Sequence, residues 1–202
     1  MPKTVRNMYD EKLTYENLMK AHKNSRKGKG YRVEVIDFNL KQEEYIMWLY
    51  KELKNMTYEH GGYQVFYITE PKVRKIEKSR YIDRIVHRWL VDEILIPTFV
   101  PTFINTSFAC LKDKGMHRAA LYVQKSMRAA KEKWESYCIL KMDILKYFDS
   151  IDKEILFGII QRKIKDEKIL SLVRKILYSQ NRPKSLEIGN YTSQMFRKYL
   201  PK

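Results

Sequence analysis

The stretch KMDILKYFDSID, residues 141–152, decides how this chain folds. Residues 137–143 (YCILKMD) form a short, mostly apolar run, which predicts a buried strand ending on the carboxylate of Asp143. A carboxylate at the end of a strand lies at a sheet edge, where Mg²⁺ can be held by one or two carboxylates and substrate phosphates. The alternative for such an aspartate is a turn residue, and we assign Asp152 the plain role of N-cap for the next helix.

The sequence on both sides of this stretch predicts a mixture of helices and short strands. Helices are expected at residues 15–27, 40–55, 82–96, 116–134 (directly after Gly115), 153–165 and 167–178, with a strand at 63–69 and a returning partner at 73–76. Thr14 and Asn39 are the expected N-caps of the first two helices, and Pro97 is expected to stop the third. With no repeat, low-complexity run or obvious linker, a single mixed α/β unit is predicted.

Composition excludes several classes of protein. The 202 residues are 44% hydrophobic, which is enough for a buried core and unlike collagen or a disordered tail. Cys110 and Cys138 have no metal-binding spacing and fit a reducing compartment. No apolar stretch approaches the roughly 20 residues that cross a bilayer, and the N-terminus lacks a signal-peptide core. We therefore expect a cytoplasmic protein with no membrane partner.

The charge balance predicts a polyanionic partner. There are 40 Lys and Arg residues against 24 Asp and Glu, a formal net charge of +16. Two basic clusters interleave with aromatic residues, at 17–33 and 72–88, as a surface that follows a nucleic-acid strand requires. The predicted strand-binding residues of the first cluster are Lys20, Lys23, Arg26, Lys27, Lys29 and Arg32. The alternative is a soluble, lysine-rich protein whose tyrosines are mostly half-buried core residues.

The string DILKYFDSID, residues 143–152, resembles the first catalytic block of reverse transcriptases. The resemblance implies that Asp143 is the metal-binding aspartate and that Ile144 lends its backbone carbonyl to the metal. It also implies that Phe148 is the ring beneath the sugar of the incoming nucleotide, where it leaves no room for a 2′ hydroxyl. A plain core phenylalanine is the alternative for Phe148.

Two neighbouring segments extend the resemblance. KSRYIDRIVHRWLVDEILIPTF, residues 78–99, looks like the fingers helix of group II intron-type enzymes, and the preceding basic residues match a triphosphate-gripping strand. We choose Arg74 for that grip because a guanidinium fork suits phosphate oxygens, and Lys72 is the weaker choice. FACLKDKGMH, residues 108–117, resembles the next block, in which Lys114 would meet a phosphate of template or primer.

The most diagnostic segment is IGNYTSQ, residues 188–194. Its IGxxxSQ pattern resembles the form found in diversity-generating retroelements, and it implies nucleotide-binding roles for Ile188, Gly189 and Gln194. An isoleucine before the glycine removes polar contacts near the incoming nucleotide, so we expect weaker discrimination between bases. Glu187 departs from the family, which usually has proline at that position.

Taken together, the resemblance implies an α/β (α+β) fold, helix-rich with a small antiparallel sheet, from the fingers and partial palm of a right-hand polymerase. The expected domains are a basic helical extension at 1–30, fingers at 31–136 and a partial palm at 137–202, without a thumb. The implied function is RNA-directed DNA polymerisation by two-metal nucleotidyl transfer, with Mg²⁺ or Mn²⁺ as cofactor. The implied partners are an RNA template, a DNA primer or RNA–DNA duplex, deoxynucleoside triphosphates and a retroelement accessory protein.

One departure from the family pattern bears on activity. The Tyr-x-Asp-Asp motif that supplies further metal ligands in this family does not occur in the 202 residues. Since two metal ions need carboxylates from more than one strand, we expect this polypeptide not to polymerise by itself. A non-catalytic RNA-binding remnant is the alternative reading of the same residues.

Overall fold

A computed structural model describes residues 4–199 of the chain. The described residues fall into two units: one holds residues up to 101 and from 148 onward, and the other holds residues 102–147. In residues 4–199, every helix is too short or too polar to cross a membrane.

The first unit begins with four helices. They are α1 (Met8–Lys12), α2 (Tyr15–Ser25), α3 (Val33–Leu40) and α4 (Gln42–Lys54). Thr14 caps α2 as predicted, and its hydroxyl accepts a hydrogen bond from the amide of Asn17 at 3.1 Å. The predicted start of the helix at 40–55, with Asn39 as its N-cap, is wrong. The chain kinks at Lys41, α4 begins at Gln42, and Asn39 belongs to the end of α3.

A β-hairpin and a long helical stretch follow. Strands β1 (Tyr63–Ile68) and β2 (Arg74–Ser79) pair antiparallel, with Tyr63 opposite Ser79 and Ile68 opposite Arg74. The helical stretch consists of α5 (Tyr81–Trp89), a π-helical segment (Leu90–Leu95) and α6 (Ile96–Phe99). The predicted stop at Pro97 is wrong, because this proline lies in the first turn of α6, where its missing N–H is tolerated.

The C-terminal part of the first unit adds four more helices. They are α8 (Tyr147–Ser150), which begins at the junction of the two units, α9 (Lys153–Lys163), α10 (Glu167–Leu177) and α11 (Tyr191–Phe196). Asp152 is the N-cap of α9, as predicted, and accepts hydrogen bonds from the amides of Glu154 and Ile155. The core of this unit includes the fully buried residues Leu18, Ile46, Leu49, Ile85, Trp89, Leu90, Ile94, Leu156, Ile160, Ile169 and Val173.

The N-terminal segment is tied to the connection between α9 and α10. The amide of Val5 donates to the carbonyl of Lys163, and the amide of Lys165 donates to the carbonyl of Val5, both at 2.9 Å. The amide of Tyr9 donates to Oδ2 of Asp166 at 2.9 Å, while Oδ1 of the same carboxylate caps α10. One buried carboxylate therefore holds together segments that are 157 residues apart.

The second unit contains α7 (Met116–Lys133), which begins directly after Gly115, as predicted. The predicted strand at 137–143 is wrong: these residues form no strand and are exposed. A strand needs a neighbour to accept and donate its backbone hydrogen bonds, and within residues 4–199 strand pairing is confined to β1 and β2, apart from isolated bridges. The fold class is confirmed as helix-rich with a small antiparallel sheet.

Replacing Asp166 by alanine tests the tie between the N-terminal segment and α10. Losing the helix cap costs about 1 kcal/mol, and leaving the buried amide of Tyr9 unsatisfied adds about 1–3 kcal/mol. Asp152→Ala is the matched control, because it removes an equivalent cap that holds no distant amide. Urea denaturation should show a larger loss of unfolding free energy for Asp166→Ala, and equal losses would contradict the tie.

Candidate nucleic-acid interface

Three segments of the first unit meet along the chain that precedes α11. The amide of Leu186 donates to the carbonyl of Phe148 at 2.9 Å. Two residues later, the carbonyl of Ile188 accepts from the amide of Glu77 on β2 at 3.0 Å. Backbone hydrogen bonds therefore connect the segments that carry Phe148 and Ile188 to each other and to β2. These are two of the residues predicted to lie near the nucleotide. The guanidinium of Arg197 lies 5.5 Å from the centre of the Phe148 ring.

Gly189 makes this approach to β2 possible. Its φ is +121°, in the region that favours glycine, and a Cβ at this position would lie 3.0 Å from Cγ2 of Ile76. The next residue, Asn190, is buried, and its Oδ1 accepts from the hydroxyl of Ser79 at 2.9 Å. The end of β2 therefore sets where α11 begins.

Buried carboxylates on β2 and on the same segment form ion pairs. Glu77 is only 4% exposed and pairs with Lys75 at 2.7 Å and with Arg182 at 3.1 Å. Glu187 pairs with the fully buried Lys153 at 3.4 Å. Burial raises the pKa of the Glu187 carboxyl, and the charge of Lys153 opposes that rise.

A cavity of about 320 Å³ opens where the end of α2, α5 and the start of α11 converge. Its lining residues are Asn24, Ser25, Lys27, Lys29, Arg84, His87, Arg88, Gly189, Tyr191 and Gln194. We call this space the basic cavity, because its charged lining residues are two lysines and two arginines. Such a concentration of positive charge suits a phosphate-bearing ligand.

The two arginines of the basic cavity are held in place by carboxylates outside its lining. Arg84 contacts Glu34 at 2.5 Å, and Nε of Arg88 lies 2.9 Å from Asp92. Burial alone would raise the pKa of Glu34, but hydrogen bonds from Lys78 and Arg84 lower it, so this carboxylate stays ionised at neutral pH.

The lysines of the basic cavity carry the charge that these carboxylates do not balance. Both side chains belong to exposed residues on the loop after α2. Partial burial and the nearby charges of Arg84, Arg32 and Arg88 lower the pKa of Lys29. Because repulsion between neighbouring positive charges disfavours the charged form of Lys29, a bound anion would stabilise that charged form. The position of Lys29 is therefore where the cavity would attract an anion most strongly.

Neutral side chains complete the basic cavity. His87 is 1% exposed, and burial lowers its pKa to about 3, so the ring is uncharged at neutral pH. Within residues 4–199 its Nε2 is buried without a hydrogen-bond partner. The Arg88 guanidinium lies 4.4 Å from the centre of the Tyr191 ring, and the Tyr191 hydroxyl donates to Asp92 at 3.3 Å. The cavity thus offers cations and a fixed aromatic ring side by side.

The predicted site residues separate into two groups in the first unit. Lys27, Lys29, Gly189 and Gln194 meet at the basic cavity. Other predicted residues do not line this cavity. Lys20 pairs with Glu93 at 2.7 Å, and Arg26 donates a hydrogen bond to Asn39 at 3.3 Å. Exposed or half-exposed positions hold the remaining basic residues predicted in this unit, Lys23, Arg32, Lys72 and Arg74. Arg74 begins β2, so it and Lys72 lie at the turn end of the hairpin.

Sequence reasoning gave no role to six of the ten lining residues of the basic cavity, among them Arg84, His87 and Arg88. It counted Arg84 and Arg88 in a basic cluster without giving them a role, and it did not consider His87. The available signal was the spacing: residues 84 and 88 are four apart in a predicted helix and so lie on one face. What that face meets depends on α2 and α11, which are distant in sequence.

In the second unit, the side chain of Asp143 accepts a hydrogen bond from the amide of Ile144 at 3.0 Å, and both residues are exposed. Lys114 donates to the carbonyl of Asn105 at 2.9 Å. The part of the chain that the structure describes brings together no group of three or more His, Cys, Asp or Glu residues suited to a metal ion. A two-metal centre therefore does not fit the described residues by themselves, and we derive no chemical step through a metal.

Comparison with known proteins identifies distant relatives. The chain is 28% identical over 138 residues to group II intron-encoded protein LtrA of Lactococcus lactis subsp. cremoris, and the match covers 67% of this chain. The protein of the same name from strain MG1363 matches equally. The matched region is 22% of the length of these relatives, so the chain spans about a fifth of them. No protein-family profile matches the chain. The similarity supports a distant reverse transcriptase-like relationship.

Replacing Gly189 by alanine tests the close approach to β2. The added Cβ is strained at this φ and meets Ile76, so we expect a loss of roughly 1–3 kcal/mol of unfolding free energy. Gly158→Ala is the control: it lies inside α9 with open space around it, and it should stabilise the protein by up to about 1 kcal/mol. Denaturation curves that respond alike to both substitutions would contradict this role of Gly189.

The buried Lys153–Glu187 pair predicts a non-additive response to mutation. Glu187→Leu alone leaves a buried lysine charge without its partner and should cost about 3–5 kcal/mol. The double variant Lys153→Met with Glu187→Leu removes both charges and should regain most of that stability. Chemical denaturation of the two single variants and the double variant measures the coupling, and a double variant as unstable as the sum of the singles would contradict it.

Proposed function

We propose that this chain is the nucleic-acid-binding part of a reverse transcriptase-related protein, and that it holds an RNA or RNA–DNA strand at the basic cavity. The observation that carries the proposal is the convergence of Lys27, Lys29, Arg84 and Arg88 with the IGxxxSQ segment around one cavity. The distant similarity to group II intron-encoded proteins supports the same assignment.

The lining explains how a strand would bind. Lysine and arginine side chains neutralise phosphates and release condensed counterions, which supplies most of the sequence-independent affinity. The Tyr191 ring, fixed between Arg88 and Asp92, offers an aromatic surface beside those cations. Gly189 lines the same cavity, and its missing side chain is what lets β2 pack directly behind it.

The proposed nucleotide-binding roles rest on the resemblance to reverse transcriptases. Arg74 and Lys72 would contact the triphosphate of an incoming deoxynucleotide, while Phe148 and Ile188 would lie against its sugar and base. Their backbone assembly with β2 supports a common role for Phe148 and Ile188. Asp143 and the carbonyl of Ile144 would hold Mg²⁺ or Mn²⁺ together with ligands supplied by a longer protein.

Catalysis is therefore a property that we propose for a longer relative and not for these residues acting alone. That longer protein would copy RNA into DNA, and the IGxxxSQ segment favours the diversity-generating class over the intron-encoded class. A non-catalytic RNA-binding module remains the second candidate, because one exposed Asp143 is the sole carboxylate of the predicted metal site. Both candidates require the basic cavity to bind nucleic acid.

Alanine substitution of Lys27 and Lys29 tests the basic cavity. Each should weaken binding of RNA by a similar factor for different sequences and should reduce the slope of log affinity against log salt by about one. Lys165→Ala, an exposed lysine after α9, is the matched control and should change neither quantity. Fluorescence anisotropy with labelled RNA measures both. Binding that is insensitive to salt, or an equal loss in the control, would contradict the proposal.

A further inference from the structure

The hairpin of the first unit has an open edge along β1. Within residues 4–199, β1 pairs with β2 alone, so no strand lies on its other side. Val65, Phe66, Tyr67 and Ile68 are between 43% and 63% exposed. Edge strands usually carry charges, proline or a bulge that blocks further pairing, and β1 has none of these. Such an edge is typical of a strand that pairs with another chain.

The contacts of β2 determine which backbone groups of β1 point outward. The amide of Glu77 donates to the carbonyl of Ile188, so it points away from β1. Glu77 lies opposite Val65, and in an antiparallel pair the residues that bond across the ladder alternate with those that do not. Val65 therefore directs its N–H and C=O away from β2, and so do Tyr63 and Tyr67, two positions to either side.

The outward positions are symmetric about Val65, so the edge is complementary to itself. When two copies of β1 lie antiparallel with Val65 opposite Val65, Tyr63 of each copy lies opposite Tyr67 of the other. Every outward N–H then meets an outward C=O, and none is left unpaired. The side chains opposite each other are two pairs of tyrosines and one pair of valines. Aromatic and β-branched pairs of this kind stabilise antiparallel sheets.

Charge favours a second copy of this chain over nucleic acid at the edge. The chain has 40 Lys and Arg residues and a net charge of +16, so two copies repel each other wherever their cations meet. None of these cations is on β1, and the basic residues of the hairpin strands lie on β2, at Arg74, Lys75 and Lys78. Two β1 strands therefore meet without like charges opposite each other, and the strand offers no cation to a phosphate.

The antiparallel arrangement also separates the two hairpin bases. At the base, the Tyr63 hydroxyl lies 2.6 Å from the hydroxyl of Ser179, while Ile68 is at the turn end of β1. Five steps of about 3.4 Å place these two ends about 17 Å apart. Because the base of one hairpin lies beside the turn of the other, the attached helices are at opposite ends of the joined sheet.

We propose that two copies of this chain pair through β1, antiparallel about Val65, and form one four-stranded sheet. The contact uses the same residues of both copies and closes as a two-fold dimer. A six-residue strand is about 20 Å long, so the interface is small and the association depends on concentration. The proposal does not depend on nucleic-acid binding at the basic cavity.

Amide hydrogen exchange, resolved by residue with NMR at low and high protein concentration, tests the pairing without altering the chain. The protein is first freed of nucleic acid by nuclease digestion. The amides of Tyr63, Val65 and Tyr67 should exchange about tenfold more slowly when nine-tenths of the chains are dimeric. The amides of Gln64 and Phe66 face β2 and should not respond to concentration. Exchange at the outward amides that is the same at every concentration overturns the proposal.

A charge at the central position tests whether Val65 lies opposite itself. Val65→Lys places like charges opposite each other and should weaken the dimer about tenfold in sedimentation velocity. Val65→Glu should also weaken it, and an equimolar mixture of the two variants should recover the dimer because opposite charges then meet. Ile155→Lys makes the same charge change at an exposed apolar residue of α9 and should leave the association unchanged.

Three results of the sedimentation experiment contradict this interface. One is a wild-type chain that stays monomeric at every concentration. Another is a Val65→Lys chain that dimerises like the wild type, because the contact would then lie on a different surface. The third is a mixture of the lysine and glutamate variants that associates no better than either variant alone.

Discussion

The contact between Gly189 and β2 is the constraint on which the rest of the candidate site depends. A single added carbon at this position would lie 3.0 Å from Cγ2 of Ile76 and 3.6 Å from the carbonyl oxygen of Glu77, so only glycine lets this segment pack this closely against the strand. The carbonyl of Ile188 accepts a hydrogen bond from the amide of Glu77, and Oδ1 of Asn190 accepts one from the hydroxyl of Ser79. The hairpin therefore determines the position of α11. The basic cavity forms where the start of α11 faces α2 and α5.

Electrostatics explains why the cavity keeps an excess of positive charge. Glu34 and Asp92 hold Arg84 and Arg88 in fixed positions, so the arginines are already placed before any ligand arrives. The lysines on the loop after α2 add charge that these carboxylates do not balance. His87 contributes no charge at neutral pH because burial lowers its pKa. A preorganised cluster of cations binds phosphates without first rearranging.

Local sequence signals predicted the features that depend on local interactions. The caps at Thr14 and Asp152, the hairpin and the start of α7 each depend on residues a few positions apart, and each is found as expected. The strand at 137–143 was predicted wrongly because strand pairing depends on a distant partner. The roles of Arg84 and Arg88 were missed for a related reason: the cavity they line is built by three segments that the sequence does not place together.

Hydrogen exchange with and without bound RNA tests the central claim most directly, because it reports which backbone segments a strand covers. The account predicts slower exchange on RNA binding at residues 24–29 and 189–194, with little change in α9 and α10. Protection confined to α9 and α10, or RNA binding that leaves the cavity segments unchanged, would contradict it.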